Sequence, residues 1–157
     1  MQIRTATAAD LPTLAALYRD TVLTKAPQYY TAAQTQAWAT VDAESDRFRE
    51  FILGVTTYVA ENTTGMVGFA GLGNDGHVAS AYVRHDCLHQ GIGSALMQVV
   101  LDRAQKKHLQ RLYAEASEFS LGLFQKFGFS QYATEVVDHN GVQFTRYLVE
   151  RIVAETP

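Results

Sequence analysis

Residues 78–104 read VASAYVRHDCLHQGIGSALMQVVLDRA: a β-rich run, a break, then Gln90-Gly91-Ile92-Gly93-Ser94 opening an amphipathic helix. The first N–H groups of a helix lack intrahelical partners, and the aligned peptide dipoles put partial positive charge at the same end. Such a junction suits an anion, phosphate above all. Gly91 and Gly93 allow a tight turn and remove Cβ atoms where a ligand would approach the backbone. Ile92, Ala95, Leu96, Val99, Val100 and Ala104 recur along one face at helical spacing, which predicts burial of that face. Lys106, Lys107 and His108 then sit where cations favour the dipole's negative end. A Gly-x-Gly at a helix start also serves simple close packing of strand and helix, so the loop alone leaves both readings open.

Two common phosphate loops are absent. No Gly-x-x-x-x-Gly-Lys-Ser/Thr occurs, and QGIGSALM lacks the third glycine of a dinucleotide-binding fingerprint.

Working outward, Ile3–Thr5 reads as a short strand. The following helix is best capped by Asp10, with Thr7 the other choice, since Pro12 is tolerated only in a first turn. Leu11, Leu14, Tyr18 and Val22 share a face of that helix, and Pro27 ends it. Residues 31–40 and 46–53 read as two further helical pieces. Residues 56–61 and 66–73 form a hairpin around Asn62-Thr63-Thr64-Gly65, and 77–84 adds a strand after Asn74-Asp75-Gly76. Residues 111–116 are a strand, and Asn140-Gly141 turns a last hairpin between 131–138 and 142–149. This order predicts an α+β fold, a mixed sheet of about seven mostly antiparallel strands with helices on both faces, in a single domain spanning 1–157.

Composition agrees with a globular chain: 47% hydrophobic and 18% charged residues among 157. Thirteen basic against 16 acidic side chains, net −3, supply no field for nucleic acid or acidic membrane. The opening MQIRTATAADLP has no apolar signal core, and no run approaches a membrane span, so the expected location is cytoplasmic. Cys87 is the only cysteine, and a packed thiol accounts for it. His85-x-Cys87-x-His89 matches no zinc spacing, so no metal is expected. A second copy of the chain, as a homodimer, is the macromolecular partner left open.

The ordered set of Ala81-Tyr82-Val83, the loop Gly91-Ile92-Gly93-Ser94-Ala95-Leu96, the strand Leu112-Tyr113-Ala114-Glu115-Ala116-Ser117 and the closing Leu123-Phe124-Gln125-Lys126-Phe127-Gly128-Phe129 resembles the GNAT superfamily of acetyl-CoA-dependent N-acetyltransferases. Ile3-Arg4-Thr5-Ala6 with Asp10-Leu11 resembles that superfamily's first strand and helix. Tyr30-Thr31, Gln34 and Ala37-Trp38-Ala39 are similar to a subgroup with an aromatic segment after that helix.

The resemblance implies that strands four and five, residues 77–84 and 111–116, splay apart at a bulge to admit the acyl-CoA. It implies that Ala81, Tyr82 and Val83 bind the pantetheine arm through backbone groups, and that the amides of His89, Gln90, Gly91, Ile92, Gly93 and Ser94 hold the pyrophosphate. Leu88 stands where the signature Gln/Arg-x-x-Gly-x-Gly/Ala has Gln or Arg. Val83 is implied as the donor to the thioester oxygen. Ser117 and Ser120 are implied to contact the pantetheine or sulfur, and Ser117 equally suits the N-cap of the last helix. Phe124 occupies the position of a tyrosine that often protonates the leaving thiolate.

Amine attack on a thioester needs a proton acceptor, because an amine of pKa near 10.4 is neutral in only about one molecule in a few thousand at pH 7. Many GNAT members carry an acid on strand four, and His77-Val78-Ala79-Ser80-Ala81 has none. Glu115 is the first substitute, since alternation sets Tyr113, Glu115 and Ser117 opposite Leu112, Ala114 and Ala116. A structural carboxylate bonded to backbone or arginine explains it as well. His77 and His85 are the reserves. Tyr29, Tyr30, Gln34 and Trp38 fall on the acceptor side, where an aromatic cleft can hold an ammonium or apolar chain; core packing explains the same rings. The expected activity is acetyl transfer from acetyl-CoA to a primary amine of a small molecule or protein, with a non-catalytic acyl-CoA-binding domain as the alternative.

Overall fold

The computed structural model describes residues 1–153. The last four positions of the span expected to form one domain lie outside the described residues. Seven strands and five α-helices follow one another as β1 (Gln2–Thr5), α1 (Leu11–Lys25), α2 (Ala32–Ala39), α3 (Asp46–Leu53), β2 (Thr56–Asn62), β3 (Gly65–Leu72), β4 (Val78–Val83), α4 (Ile92–Lys106), β5 (Arg111–Ala116), α5 (Leu121–Lys126), β6 (Ser130–His139) and β7 (Val142–Ile152). The strands divide into an antiparallel sheet ordered β1-β2-β3-β4 and another ordered β5-β7-β6. They meet at one parallel bridge, His77 to Tyr113.

Helices α1 and α3 cover one face of the first sheet, where Leu14, Ile52, Val59 and Phe69 are fully buried. On the other face α4 packs Ile92, Leu96, Met97, Val100 and Ala104 against Val67, Ala70, Leu112 and Val149. Each of these side chains larger than alanine contributes about 1.5–3 kcal/mol on leaving water. Met97 belongs to this buried face, while Ala95 and Val99 are only partly covered. Local sequence chemistry sets several element ends. Thr31 and Gln34 form a reciprocal capping box at α2, and Ser45 accepts the Phe48 N–H at the start of α3.

Two expected caps are realised differently. Asp10 stands at the N-terminus of α1 without a side-chain cap bond to that helix. Its carboxylate instead takes Arg4 in a bidentate pair at 2.7 and 2.8 Å and the Thr7 N–H at 2.8 Å, tying β1 to the helix entry. The Arg4 guanidinium holds that carboxyl down at about 2. At α5 the N-cap position belongs to Ser120, not Ser117. Ser117 closes the preceding turn: its Oγ accepts the N–H of Phe119 and Ser120, both at 3.2 Å, while Ser120 Oγ accepts the Ser117 N–H at 2.9 Å. No helix among the described residues is long and apolar enough to cross a membrane.

Candidate active site

The two sheets open from a common apex. Tyr113 N–H donates to Gly76 O at 3.1 Å, and a Cβ on Gly76 would lie 2.1 Å from the Arg111 carbonyl oxygen. Gly76 also adopts φ +97°, so both contact and conformation require glycine there. Past the apex β4 and β5 part. The β3–β4 register moves from Gly71–Ser80 to Leu72–Val78, leaving Ala79 as the extra residue of a bulge that bends β4.

The opening is edged by unpaired backbone. Arg84 N–H donates to Val67 O at 2.8 Å, and bonded residues alternate along an antiparallel ladder. Ser80 and Tyr82 therefore bond to β3, while Ala81 and Val83 turn their N–H and C=O groups toward the opening. On β5, Val153 N–H donates to Gln110 O at 2.9 Å. By the same alternation Leu112, Ala114 and Ala116 bond to β7, and Glu115 turns its backbone toward β4. Buried backbone groups need partners, and an extended amide-bearing chain can supply them. The cavity between the edges measures about 1220 Å³ and reaches from α1 and α3 to the start of α4.

At the α4 end Gly91 takes the left-handed conformation, φ +81°, and a Cβ there would have nothing within 4 Å of it. Its need is conformational. Gly93 differs: a Cβ there would meet Leu123 at 3.3 Å and Val83 at 3.4 Å. The missing Cβ of Gly93 thus also leaves room for α5 and β4. Leu88, His89, Gly91, Ile92, Gly93 and Ser94 all line the cavity, and Gln90 does not. A cation not singled out from sequence joins them: Lys126 Nζ donates to Ser94 Oγ at 2.9 Å, in the first turn of α4. Ser117 and Ser120 line the same region. Phe124 also reaches the wall but is otherwise core, 3% exposed and edge-on to Phe129.

Near the apex His77 Nε2 lies 2.8 and 3.1 Å from the two Glu115 carboxylate oxygens. Both residues line the cavity, and both side chains are partly exposed. The bond to Glu115 raises the His77 pKa above its ordinary value, burial opposing; the same bond lowers that of Glu115. Two residues 38 apart in sequence therefore form one proton-holding unit. His85 does not line the cavity.

On the α1–α3 side the wall is aromatic. Tyr82 stacks on Phe69 with centroids 5.1 Å apart and packs on Tyr18 at 5.0 Å. Tyr18 OH donates to Trp38 O at 2.9 Å, and Trp38 Nε1 donates to Tyr82 OH at 3.3 Å. Burial raises the pKa of both phenols, keeping them protonated. Tyr30 accepts the Glu118 N–H at 3.1 Å and packs edge-on to Trp38. The Oγ of Ser80 and Oγ1 of Thr21, on residues of the same wall, are buried without a protein partner. Tyr30 and Trp38 line the cavity, whereas Tyr29 and Gln34 do not. Tyr29 is 62% exposed against Phe119. Gln34 serves its capping box and donates to Gln143 O at 3.0 Å.

Among the described residues no group of three or more His, Cys, Asp or Glu side chains is placed to hold a metal ion. Cys87 is buried, and its Sγ accepts from Arg84 at 3.2 Å.

With this geometry in view, comparison with known proteins gives a consistent result. The profile of the acetyltransferase (GNAT) domain matches residues 26–151. An uncharacterized N-acetyltransferase of Escherichia coli (strain K12), YafP, is 26% identical over 147 residues, 94% of this chain and 93% of that protein. A solved GCN5-related N-acetyltransferase from Rhodopseudomonas palustris superposes with TM-score 0.91 at 22% identity, covering 96% of this chain and 94% of that one. The PaiA N-acetyltransferase of Thermoplasma acidophilum, solved in complex with coenzyme A, gives TM-score 0.79 at 16% identity, covering 96% and 98%. These two likenesses establish the shared fold.

Proposed function

From the premise that this chain belongs to the acetyltransferase (GNAT) domain family, we propose that it transfers an acetyl group from acetyl-CoA to a primary amine, by direct attack within a ternary complex. The observation that carries this reading is the His77–Glu115 pair set across an opening whose two edges keep free backbone groups.

The residues present fit the cosubstrate. The outward N–H and C=O groups of Ala81 and Val83 suit an amide-bearing arm laid along β4. The start of α4, with the left-handed Gly91 and with Lys126 beside Ser94, suits a diphosphate. Bound there, acetyl-CoA supplies the activated acetyl thioester. Val83 N–H is the donor for the negative charge that builds on the carbonyl oxygen, as preorganised backbone donors do.

The His77–Glu115 pair handles the proton. An acceptor amine arrives mostly as ammonium. With His77 neutral the pair accepts one proton from the ammonium, directly or through one water, and becomes imidazolium and carboxylate. The second nitrogen proton leaves on amide formation and neutralises the departing thiolate or passes to water. No tyrosine stands at Phe124, and a thiol of pKa near 8.5 leaves without one. Tyr18, Tyr82 and Trp38 support an acceptor whose amine is borne on an apolar body, as a small molecule or a protein side chain.

The test is free-thiol release from acetyl-CoA with a broad panel of amines. Glu115→Gln and His77→Gln should each lower kcat about 10²-fold while leaving acetyl-CoA affinity nearly unchanged. Variants as active as the parent would remove the pair from the reaction. Thermal stabilisation by acetyl-CoA without thiol release across the panel would refute catalysis itself.

A further inference from the structure

The pair that takes the proton does not hold itself in place. His77 precedes β4 by one residue, at the end of the Asn74-Asp75-Gly76 turn, and its imidazole stacks on the Tyr113 ring with centroids 4.9 Å apart and planes 17° from parallel. The Tyr113 hydroxyl donates to Asp75 Oδ2, and the other oxygen of that carboxylate accepts the His77 N–H at 3.1 Å. One carboxylate thus binds the backbone that carries the imidazole and the ring on which the imidazole rests. Gly76 O, accepting the Tyr113 N–H, closes the same loop through the backbone. Neither Asp75 nor Tyr113 lines the cavity.

We infer that Asp75 and Tyr113 are positioning residues for acetyl transfer, clamping the His77 ring so that Nε2 stays within hydrogen-bond reach of Glu115. This rests on the pair being the proton acceptor. The groups facing His77 are Asp75 from its own turn, Tyr113 and Glu115 from β5, and Arg146 from β7. Arg146 is engaged by Glu135, and the Arg111 guanidinium lies 5.0 Å from the Tyr113 ring while paired with Glu150 at 2.6 Å. Asp75 is therefore the carboxylate besides Glu115 that favours the imidazolium. Its hold on Tyr113 also keeps the phenol protonated, with a pKa pushed up to about 12.

Two conservative variants test the clamp. Tyr113→Phe keeps the ring and removes the hydroxyl; Asp75→Asn keeps the shape and removes the charge. Each is compared with the parent in kcat, in KM for acetyl-CoA, and in the NMR titration of His77 in the substrate-free protein. Both variants should lose about tenfold in kcat with KM for acetyl-CoA unchanged. The His77 midpoint should fall in Asp75→Asn, where a facing negative charge is gone, and fall less in Tyr113→Phe. An unmoved midpoint in Asp75→Asn overturns the clamp even if kcat drops, because the loss would then be general loosening. A moved midpoint with unchanged kcat overturns the catalytic part. His77→Gln assayed alongside isolates the premise: full activity there refutes the pair as proton acceptor, while the titration still decides whether Asp75 acts on His77.

Discussion

Replacing Gly76 with alanine attacks the apex from which the cavity opens. A Cβ at that position would sit 2.1 Å from the Arg111 carbonyl oxygen, and real Cβ contacts essentially never fall under 3.0 Å. The two strands must separate there by about 0.9 Å, an overpacking cost of about 1–3 kcal/mol. Holding alanine at φ +97° adds about 1–2 kcal/mol. The sum, about 2–5 kcal/mol, corresponds to a fall in Tm of about 4–20 °C for a chain of this size. Gly141→Ala is the internal control. It shares the conformational cost, φ +80°, but a Cβ there has nothing within 4 Å, so its Tm should fall by only about 2–8 °C. Separation at the apex also carries His77 away from Glu115, whose bond at 2.8 Å cannot survive such a shift. We expect kcat to drop by up to about 10²-fold, with acetyl-CoA affinity little changed because the start of α4 lies at the other end of the opening. Differential scanning calorimetry and thiol-release kinetics read the two effects. A Gly76→Ala protein no less stable than Gly141→Ala would refute the contact, and with it the account of how the strands are joined.

Other outcomes follow from the same geometry. Gly93→Val should raise the dissociation constant for acetyl-CoA by about tenfold in calorimetric titration, because its branches drive the first turn of α4 off Leu123 and Val83; unchanged affinity would remove that turn from the binding site. The His77–Glu115 pair should also leave a signature in stability against pH. Raised histidine pKa contributes stability present in full below the ordinary value of 6.5 and lost as pH rises through the folded value. Lowered carboxylate pKa contributes stability present above 4.5 and lost as pH falls through the folded value. Urea unfolding of parent and Glu115→Gln should therefore differ most between about pH 4.5 and 6.5, by about 1–2 kcal/mol, and converge on both sides. A pH-independent difference would show that the pair is not coupled.

Where a signal is local, sequence reading reached the structure closely. Helix α3 spans Asp46–Leu53 and β5 spans Arg111–Ala116, as expected, since polar caps, apolar period and β-propensity all act within a few residues. The α+β architecture and the parting of strands four and five were legible because one ordered set of short motifs runs through them. What escaped is set by distant contacts. Gly76 reads as an ordinary turn glycine until Arg111 packs on it, and Lys126 reads as a helix-end cation until Ser94 takes its bond. The Ala79 bulge is a matter of register with β3, invisible in β4 alone. Gln34 is the opposite case: Thr31-x-x-Gln34 is a capping-box spacing, a local signal that already offered a structural role for a residue assigned to the acceptor.

The location of the proposed proton acceptor shows why a missing acid on strand four need not disable this architecture. Strands that meet at an apex and then diverge bring side chains of both onto one wall while they are still close. His77 just before β4 and Glu115 in β5 sit at that level, and their contact is as short as a bond within one element. Farther along, the same divergence opens the cavity proposed for the cosubstrate and carries the two edges beyond each other's reach. A base can therefore move from one strand to the other without changing where the proton is taken, provided that it stays near the apex. The clamp formed by Asp75, Gly76 and Tyr113 defines that level. In the proposed mechanism the turn before β4 is in this way part of what keeps the acceptor amine's proton within reach of a base.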